Sequence, residues 1–333
     1  MKIESLNYQN IEWQNFVLGF SKSNIFSSPE MNEVFNTSDG FEVNPLFVLQ
    51  EKKIVAAMFP VLVKIKTHLP QSLTNRIILY STPLYEQNEY GFCGINMLMS
   101  ELINEAKGKA LFIEIRNSEK FDLKKDGSLV KDFKYLPYQN YLIDLKCGEE
   151  NIFSSLNSYT RNHIRKSEKA KCKVREINDN ELHNVVELIE ELYKRKNIPF
   201  IDKSIFFNAY KILKPKGYIR VIVMDLNSQI IAARISLNYN KTVYDWYAAS
   251  KPEFNNYYPN EALVWNTIQW ACKNGYAIFD FGGGALRGQD YGPAKFKEKF
   301  RGELVEYGRY RYILNKPIYF FGSRIYNLRS SKK

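Results

Sequence analysis

The chain has 333 residues, of which 45% are hydrophobic, and 47 Lys and Arg against 36 Asp and Glu give a net charge of +11. This length exceeds one ordinary hydrophobic core and predicts two domains, while the apolar content excludes a largely disordered chain. No apolar run approaches the ~18 residues of a membrane helix and the first ten residues lack a signal-peptide pattern, so we expect a cytoplasmic protein.

The positive charge belongs to one half of the chain. Residues 1–150 hold 16 Lys and Arg and 19 Asp and Glu, a net charge of −3, whereas residues 151–333 hold the other 31 and 17, a net charge of +14. Such asymmetry favours a polyanionic partner: nucleic acid, a nucleotide-linked substrate or an anionic membrane surface. The alternative is a generic basic surface without a specific partner.

Cysteine and histidine usage predicts neither disulfides nor a metal site. The four cysteines are widely spaced and form no C-x-x-C pair, which is typical of reduced thiols. The three histidines, His68, His163 and His183, stand at no spacing used by zinc sites. We therefore expect no metal.

Residues 1–146 are predicted to form the first domain. Ser28-Pro29-Glu30 is a helix start, with a capping side chain, proline at the first helical position and an acid behind it. Helical spacing and strand patterns alternate in an order that indicates one compact α+β domain. The predicted helices are 10–20, 28–35 and 90–106, and the predicted strands are 45–50, 54–66, 77–81, 110–116 and 141–145.

Residues 147–316 are predicted to form the second domain. Helices are expected at 152–171, 181–195, 203–213 and 260–274, and strands at 172–177, 218–226, 229–239, 242–249 and 276–281. The order of helices, three-stranded meander, helix and strand resembles the core of the GNAT acyltransferases.

The stretch 276–302, YAIFDFGGGALRGQDYGPAKFKEKFRG, combines a buried strand, three consecutive glycines and a basic segment. The glycines are predicted to end the strand and to let a ligand approach the main chain. Lys295, Lys297, Lys299 and Arg301 follow closely, so the stretch suits a phosphate or a carboxylate. The alternative is a strand end followed by a solvated, charged helix.

Five segments in order carry a family resemblance. They are RNHIRKS at 161–167, YAAS at 247–250, YPNEALVW at 258–265, FDFGGG at 279–284 and GPAKFKEKFRG at 292–302. Together they resemble the FemAB-type transferases. The resemblance implies an α/β (α+β) fold of two tandem GNAT-like domains, each a mixed, mainly antiparallel sheet flanked by helices. It also implies that the C-terminal segment 317–333 packs on the first domain.

The best-studied members of that family move an amino acid from an aminoacyl-tRNA to the lysine amine of a peptidoglycan precursor. An ordinary GNAT domain instead holds the coenzyme A pyrophosphate with glycines at a helix N-terminus. The equivalent segment here, 251–260, has no glycine, and it contains Glu253 and Pro259. This departure favours the FemAB-like interpretation.

Transfer to an amine requires orientation of both partners, removal of a proton and stabilisation of an oxyanion. Lys297 is the first candidate to stabilise the negative charge of the oxyanion. Asp280 and Asp245 are candidate catalytic acids, although an Asp after a buried strand more often caps the next turn. Arg161 and Arg165 lie one helical turn apart and could bind one phosphate. The remaining candidates for substrate binding are Lys166, Tyr247, Asn260, Gly282, Gly283, Gly284 and Lys295.

The sequence therefore predicts a FemAB-like acyl- or aminoacyltransferase with no tightly bound cofactor. The donor is aminoacyl-tRNA or acyl-CoA, and the acceptor is an amine of a nucleotide- or lipid-linked cell-envelope precursor of peptidoglycan or surface polysaccharide. One alternative is an acyl-CoA-dependent N-acyltransferase acting on an amino-sugar nucleotide, and another is a non-catalytic nucleic-acid-binding protein. Peripheral membrane association and oligomeric state are left open.

Overall fold

A computed structural model describes residues 1–21, 23–65, 70–123 and 132–320. These residues form two compact units. Unit 1 contains the described residues of 1–137 together with 307–320, and unit 2 contains residues 138–306. None of the described helices is long and apolar enough to cross a membrane.

Ten helices are described: α1 Ile11–Leu18, α2 Pro29–Asn36, α3 Gln71–Thr74, α4 Glu89–Ala106, α5 Glu149–Ser155, α6 Ser158–Lys169, α7 Leu182–Arg195, α8 Ser204–Leu213, α9 Pro259–Lys273 and α10 Gly292–Glu298. The described strands are β1 Lys2–Glu4, β2 Phe41–Val43, β3 Leu46–Gln50, β4 Lys53–Met58, β5 Pro60–Val63, β6 Arg76–Leu79, β7 Leu84–Tyr85, β8 Phe112–Arg116, β9 Lys134–Leu136, β10 Tyr138–Asp144, β11 Cys172–Glu176, β12 Ile219–Leu226, β13 Gln229–Tyr239, β14 Thr242–Ser250, β15 Ile278–Leu286, β16 Glu303–Glu306 and β17 Arg309–Ile313.

Unit 1 contains two sheets. The order is β1-β3-β4-β7 in one and β2-β5-β6-β8-β17-β9 in the other. The sequence predicted one strand over 54–66, but this stretch forms β4 in the first sheet and β5 in the second. Pro60 opens β5, where a residue without an N–H group is tolerated at the start of a strand. Lys66, the end of the predicted strand, lies outside the described residues.

The second sheet of unit 1 includes a strand from far along the chain. β17 pairs with β8 on one side and with β9 on the other. On β8, Glu114 is only 2% exposed and forms ion pairs with Arg116, Arg309 and Arg311. Burial opposes ionisation of Glu114, but the three guanidinium groups outweigh it and lower the pKa of the carboxyl to about 2.

Unit 2 is built on one seven-stranded sheet in the order β11-β12-β13-β14-β15-β10-β16. Its described pairings are antiparallel except for β14 with β15, which is parallel. The predicted meander is confirmed as β12, β13 and β14, and the predicted helix 260–274 is confirmed as α9. The fold class is therefore the predicted mixed α/β class, with sheets flanked by helices.

The predicted long helix 152–171 is two helices. α5 ends at Ser155, and α6 begins at Ser158 after Asn157, whose side-chain oxygen accepts a hydrogen bond of 2.7 Å from the N–H of Thr160. Asn favours the N-cap over the helix interior because its side chain competes for backbone donors. Apolar spacing runs on through the break, so periodicity alone did not reveal it.

The predicted end of the last core strand at the three glycines is wrong, because β15 continues through them to Leu286. The register against β10 shifts twice, between the pairs Leu142↔Asp280, Asn140↔Gly283 and Tyr138↔Leu286. Each shift inserts an extra residue into β15, which is a β-bulge. The glycines therefore bend a continuing strand.

The unit boundaries differ from the predicted 146/147 and 316/317. Residues 138–144, assigned to the first domain, form β10 in the sheet of unit 2, and residues 309–313, assigned to the second, form β17 in unit 1. Strand partners at long sequence separation decide both boundaries. Of the segment 317–333, residues 321–333 lie outside the described part, and the ring of Tyr319 packs at 5.8 Å from that of Phe112 in unit 1.

Candidate active site

The parallel pairing of β14 with β15 in unit 2 ends before either strand ends. β14 and β15 are paired from Thr242↔Ile278 to Tyr244↔Asp280. Beyond this point β14 continues to Ser250 alongside β13, and β15 continues alongside β10. A notch therefore opens between the two strands, and Asp245 and Asp280 stand at its apex. An open end of a parallel strand pair is a common position for a ligand site.

Asp245 lies at a bulge and is held by a buried arginine. The register of β13 and β14 shifts between Ile235↔Tyr247 and Ser236↔Asp245, which leaves one extra residue on β14. The guanidinium Nη1 of Arg234 on β13 donates to Oδ1 of Asp245, and the side chain of Arg234 is only 3% exposed. This ion pair holds the carboxyl group of Asp245 in place at the notch. Sequence reasoning missed Arg234, although a single cation within the apolar run IIAARISL is a signal.

Asp280 has an unusual acidity for a carboxyl group. Its Oδ1 accepts a hydrogen bond of 2.7 Å from the N–H of Gly282, and the side chain of Asn140 donates to it as well. Burial is the main cause that raises the pKa of Asp280 to about 6, and the negative charge of Asp245 adds to it. The Gly282 hydrogen bond and the charge of Lys297 oppose the rise. A carboxyl with this pKa can exchange a proton near neutral pH.

Lys297 reaches the same place from α10. Its Nζ donates to the carbonyl oxygens of Phe281, at 2.6 Å, and Gly283, at 2.9 Å. Burial lowers the pKa of the Lys297 ammonium, while Asp245 and Asp280 favour its charged form. The helix is anchored by Phe300, which is 1% exposed and lies 5.6 Å from the ring of Phe281. The cation is therefore fixed beside the carbonyls of the bulged strand.

The arrangement offers a cation next to two carboxyl groups, of which Asp280 has a raised pKa. An ammonium group has three N–H donors, and the two carbonyls are the acceptors described for it. One donor can point to an oxyanion, while Asp280 can accept a proton from an attacking amine. Asp245, paired with Arg234, acts on both groups: its charge raises the pKa of Asp280 and favours the charged form of Lys297.

Two of the three glycines have packing reasons to be glycine. Gly282 has φ +69°, and a Cβ there would lie 3.0 Å from the hydroxyl of Tyr244. A Cβ at Gly284 would lie 2.9 Å from the backbone oxygen of Gln139 on β10. Gly283 is exposed and offers its carbonyl to Lys297. Direct binding of a substrate by these glycines stays a prediction.

The predicted cations of α6 have separate surroundings. Arg161 donates through Nη1 to the carbonyl oxygens of Ser154, at 2.9 Å, and Leu156, so it satisfies backbone groups at the end of α5. The guanidinium of Arg165 lies 5.4 Å from the ring centroid of Phe153. Lys166 Nζ lies 5.9 Å from the ring of Tyr258. A shared phosphate site of Arg161 and Arg165 stays a prediction.

The other candidate residues also have described contacts. Tyr247 belongs to an aromatic cluster and lies 4.8 Å from the ring of Phe206. The amide of Asn260 donates to Ser250 Oγ at 3.1 Å. Lys295 forms an exposed ion pair of 2.8 Å with Asp290. Their predicted roles in substrate binding are not decided by these contacts.

The N-terminus of α9 carries a buried acid. Glu261 lies in the first turn, its side chain is 10% exposed, and Oε1 lies 3.2 Å from Nδ1 of His163. The ring of His163 stacks on Tyr258 at 3.9 Å, and Pro259 occupies the first helical position. A pyrophosphate at this helix end would meet a carboxylate and one backbone donor fewer.

Two cavities lie away from the notch. One of about 520 Å³ in unit 1 is lined by residues that include Lys134, Arg311 and Lys316. One of about 460 Å³ in unit 2 is lined by residues that include Cys147 and Arg301. The linings of both cavities exclude Lys297, Asp280 and Asp245. Within the described ranges, no group of three or more His, Cys, Asp or Glu could hold a metal ion.

Comparison with known proteins identifies the architecture. Residues 154–297 match the family model described as acetyltransferase (GNAT) domain. The structure resembles that of FemX, with 18% identity, a TM-score of 0.71 and coverage of 96% of this chain and 99% of FemX. No curated protein matches the sequence.

Two further solved structures share the fold at lower similarity. A tandem GNAT protein from the clavulanic acid biosynthesis pathway is 8% identical, with a TM-score of 0.59, over 94% of this chain and 98% of that protein. L-PGS from Bacillus licheniformis is 14% identical, with a TM-score of 0.57, over 93% of this chain and 94% of that protein. At these identities the likeness establishes the fold.

Proposed function

We propose that this chain, which carries a GNAT-type acetyltransferase domain at residues 154–297 in a FemX-like fold, transfers an acyl or aminoacyl group directly to an amine. The observation that carries the proposal is the position of Lys297, Asp280 and Asp245 at the open end of the β14–β15 ladder. A cation and a carboxyl of raised pKa meet there in a strand notch of a GNAT-type domain.

In the proposed reaction, these groups support direct transfer from the donor to the acceptor. The acceptor amine attacks the donor carbonyl carbon, and the Lys297 ammonium stabilises the oxyanion of the tetrahedral intermediate. The amine loses a proton to the Asp280 carboxylate as the C–N bond forms. The ester C–O bond then breaks, and the leaving oxygen takes the proton back from Asp280. No bond to the enzyme is formed at any step.

For the donor we favour aminoacyl-tRNA. The first turn of α9 holds Glu261, so a pyrophosphate would bring negative charge beside a buried carboxylate. The resemblance of segments such as 161–167 and 292–302 to FemAB-type transferases supports the same donor. For the acceptor we favour the amine of a nucleotide- or lipid-linked precursor of peptidoglycan or surface polysaccharide, in the cytoplasm. Both choices rest on the resemblance and on the basic charge of residues 151–333.

An acyl-CoA-dependent N-acyltransferase acting on an amino-sugar nucleotide is the second candidate. The acetyltransferase description of the matching family favours it. The two candidates share the notch and differ in the leaving group, which is a ribose hydroxyl in one case and a thiol in the other.

The test measures transfer of labelled amino acid from charged tRNA and of labelled acetyl from acetyl-CoA to amine acceptors. We expect transfer from charged tRNA that ribonuclease pretreatment of the donor abolishes. Lys297→Ala should lower kcat by ~10²–10³-fold, the usual cost of losing an oxyanion donor. Lys273→Ala, which removes an exposed lysine at the end of α9, is the control. Transfer that survives ribonuclease refutes the tRNA donor, and an unchanged kcat/KM in Lys297→Ala refutes the site.

A further inference from the structure

Helix α6 presents a basic face to solvent. At 3.6 residues per turn, Tyr159, Asn162, Lys166 and Lys169 lie on one side of the helix, with Arg165 beside Lys169. All five side chains belong to exposed residues, whereas Thr160, Ile164 and Ser167 form the buried side. Lys171 and Lys173 extend the charge towards and into β11. We call Arg165, Lys166, Lys169, Lys171 and Lys173 the α6 patch.

The α6 patch lacks acidic partners. Among the described residues, none of its five cations forms an ion pair within 4 Å, although other cations of unit 2 do. Lys203 pairs with Glu190, and Lys214 pairs with Asp179. From Ser158 to Lys173 the sequence has six Lys and Arg and a single acid, Glu168. Cations kept free of counter-charges in this way match a ligand with several negative charges.

An aromatic ring stands on the same face. Tyr159 is 76% exposed, the highest exposure among the exposed large hydrophobic residues of the described chain. It lies seven residues before Lys166 and thus on the same face of α6. Cations that follow a backbone and an exposed aromatic ring on which bases stack are the two components of sequence-tolerant nucleic-acid binding.

Helix α6, which carries the α6 patch, is joined to the helix that carries Lys297. The hydroxyl of Thr160 donates to the backbone oxygen of Lys299, at 3.4 Å, and Lys299 caps the helix that carries Lys297. Three residues further along α6, His163 contacts Glu261 and Tyr258 at the start of α9. These contacts join α6, which carries the basic face, to the end of α10 and to the start of α9.

We propose that the α6 patch, with Tyr159, binds the phosphate backbone of RNA whose aminoacylated 3′ end is delivered to Lys297. The inference rests on the proposed function in one respect, the choice of aminoacyl-tRNA as donor. An anionic membrane is the less suitable partner, because Tyr159 is the one large apolar side chain on this exposed face and offers little to insert into lipid.

The test measures binding of a labelled, uncharged RNA hairpin with a single-stranded 3′ end, by fluorescence anisotropy over a series of salt concentrations. Five phosphate contacts predict a slope of log K against log salt of about −3.5 to −4.5. The variant R165A/K169A/K171A should weaken binding more than tenfold at low salt and reduce that slope by about 2 to 3. Tyr159→Ala should weaken binding with the slope retained. K203A/K214A/K273A removes three cations elsewhere in unit 2 and should bind as the wild type does.

Binding without turnover separates this proposal from the proposed function. Lys297→Ala should bind the hairpin normally while losing transfer. If charged tRNA is a donor but the α6 triple variant binds the hairpin with unchanged Kd and slope, the RNA surface is refuted. If the triple variant loses only its binding to phosphatidylglycerol vesicles, the patch is a membrane surface and the proposal is also refuted. RNA binding that depends on the patch, together with no transfer from any charged tRNA, supports the surface and refutes the donor.

Discussion

Neighbouring charges set the chemistry of single residues in the notch. Arg234 is buried and forms an ion pair with Asp245, and the charge of Asp245 raises the pKa of Asp280. The raised pKa of Asp280 thus comes from its surroundings, which the residue type alone does not show. Burial lowers the pKa of Lys297, and the charges of Asp245 and Asp280 oppose this shift by favouring the ammonium form. One ion pair on β13 and β14 therefore affects both the proposed proton acceptor and the proposed oxyanion donor.

The pH dependence of the reaction tests Asp280 as the proton acceptor. Because its pKa is raised to about 6, kcat/KM should rise as the pH increases through about 6 and level off above it. Asp245→Asn removes a charge that raises this pKa, so the acid limb should move to lower pH. Asp280→Asn should abolish the limb and most of the activity. The exposed pair partner of Lys295, Asp290, provides the control substitution Asp290→Asn.

Two outcomes would contradict this role. One is a pH profile of Asp245→Asn that superimposes on that of the wild type. The other is a wild-type profile without an acid limb near pH 6. The stability of the protein should respond with a defined sign, since a raised carboxyl pKa makes the folded state bind its proton more tightly. The contribution of Asp280 to stability therefore falls as the pH rises from its ordinary value of 3.8 to about 6.

At the scale of elements, the bulged strand β15 positions the site. Its two register shifts against β10 turn the carbonyl oxygens of Phe281 and Gly283 towards Lys297. α10 is short and depends on Phe300, packed against Phe281, for its place on the sheet. The strand and the helix together position Lys297, and the glycines allow the strand to bend without steric conflict.

Gly284→Ala tests the close approach of β15 to β10. The new Cβ would lie 2.9 Å from the backbone oxygen of Gln139, which belongs to a paired strand and cannot move freely. We expect a loss of ~1–3 kcal/mol in the free energy of unfolding, measured by urea denaturation. Gly292→Ala is the control, because nothing lies within 4 Å of a Cβ there. Equal stability of the two variants would show that the bulge tolerates a side chain.

At the scale of the whole molecule, the chain leaves unit 1, forms unit 2 and returns. β17 lies between β8 and β9 in the sheet of unit 1, although most of the chain separates it from β8. Glu114 on β8 joins the two strands through ion pairs with Arg309 and Arg311 of β17, and it also pairs with Arg116 of β8. Because β17 follows unit 2 in the sequence, the stability of unit 1 depends on residues that come after unit 2.

Glu114→Gln tests this dependence. The carboxyl has its pKa lowered to about 2 from an ordinary 4.5, so its stabilising contribution is present above pH 4.5 and is lost as the pH falls towards 2. The substitution leaves three arginines around a neutral group and should cost about 3 kcal/mol at pH 7. It should also flatten the fall in stability below pH 4.5. Thermal unfolding at several pH values measures both effects.

The control for that experiment is Glu42→Gln, which removes an exposed pair with Lys64 and should change stability by less than about 1 kcal/mol. If the Glu114→Gln protein is as stable as the control at pH 7, Glu114 does not stabilise the pairing of β17 with β8.

The sequence by itself predicted most of the helices and strands of the second unit. Apolar periodicity and caps predicted the β12–β13–β14 meander and α9, and segment resemblance predicted the GNAT architecture. It also offered Lys297 as a candidate through the resemblance of segment 292–302, and Asp280 and Asp245 as carboxylates at strand positions; their catalytic roles stay predictions. These features are local, and patterns of a few neighbouring residues are therefore enough to predict them.

Only the tertiary structure decided the register, the boundaries and the partners. The assignment of β10 and β17, the passage of β15 through its glycines and the pairing of Arg234 with Asp245 all depend on strands brought together over long sequence separation. A spacing rule cannot predict which strand a residue will face, and burial sets the pKa of Asp280 through that environment. Local sequence thus specified most of the helices and strands of unit 2, whereas packing specified their partners and the surroundings of each side chain.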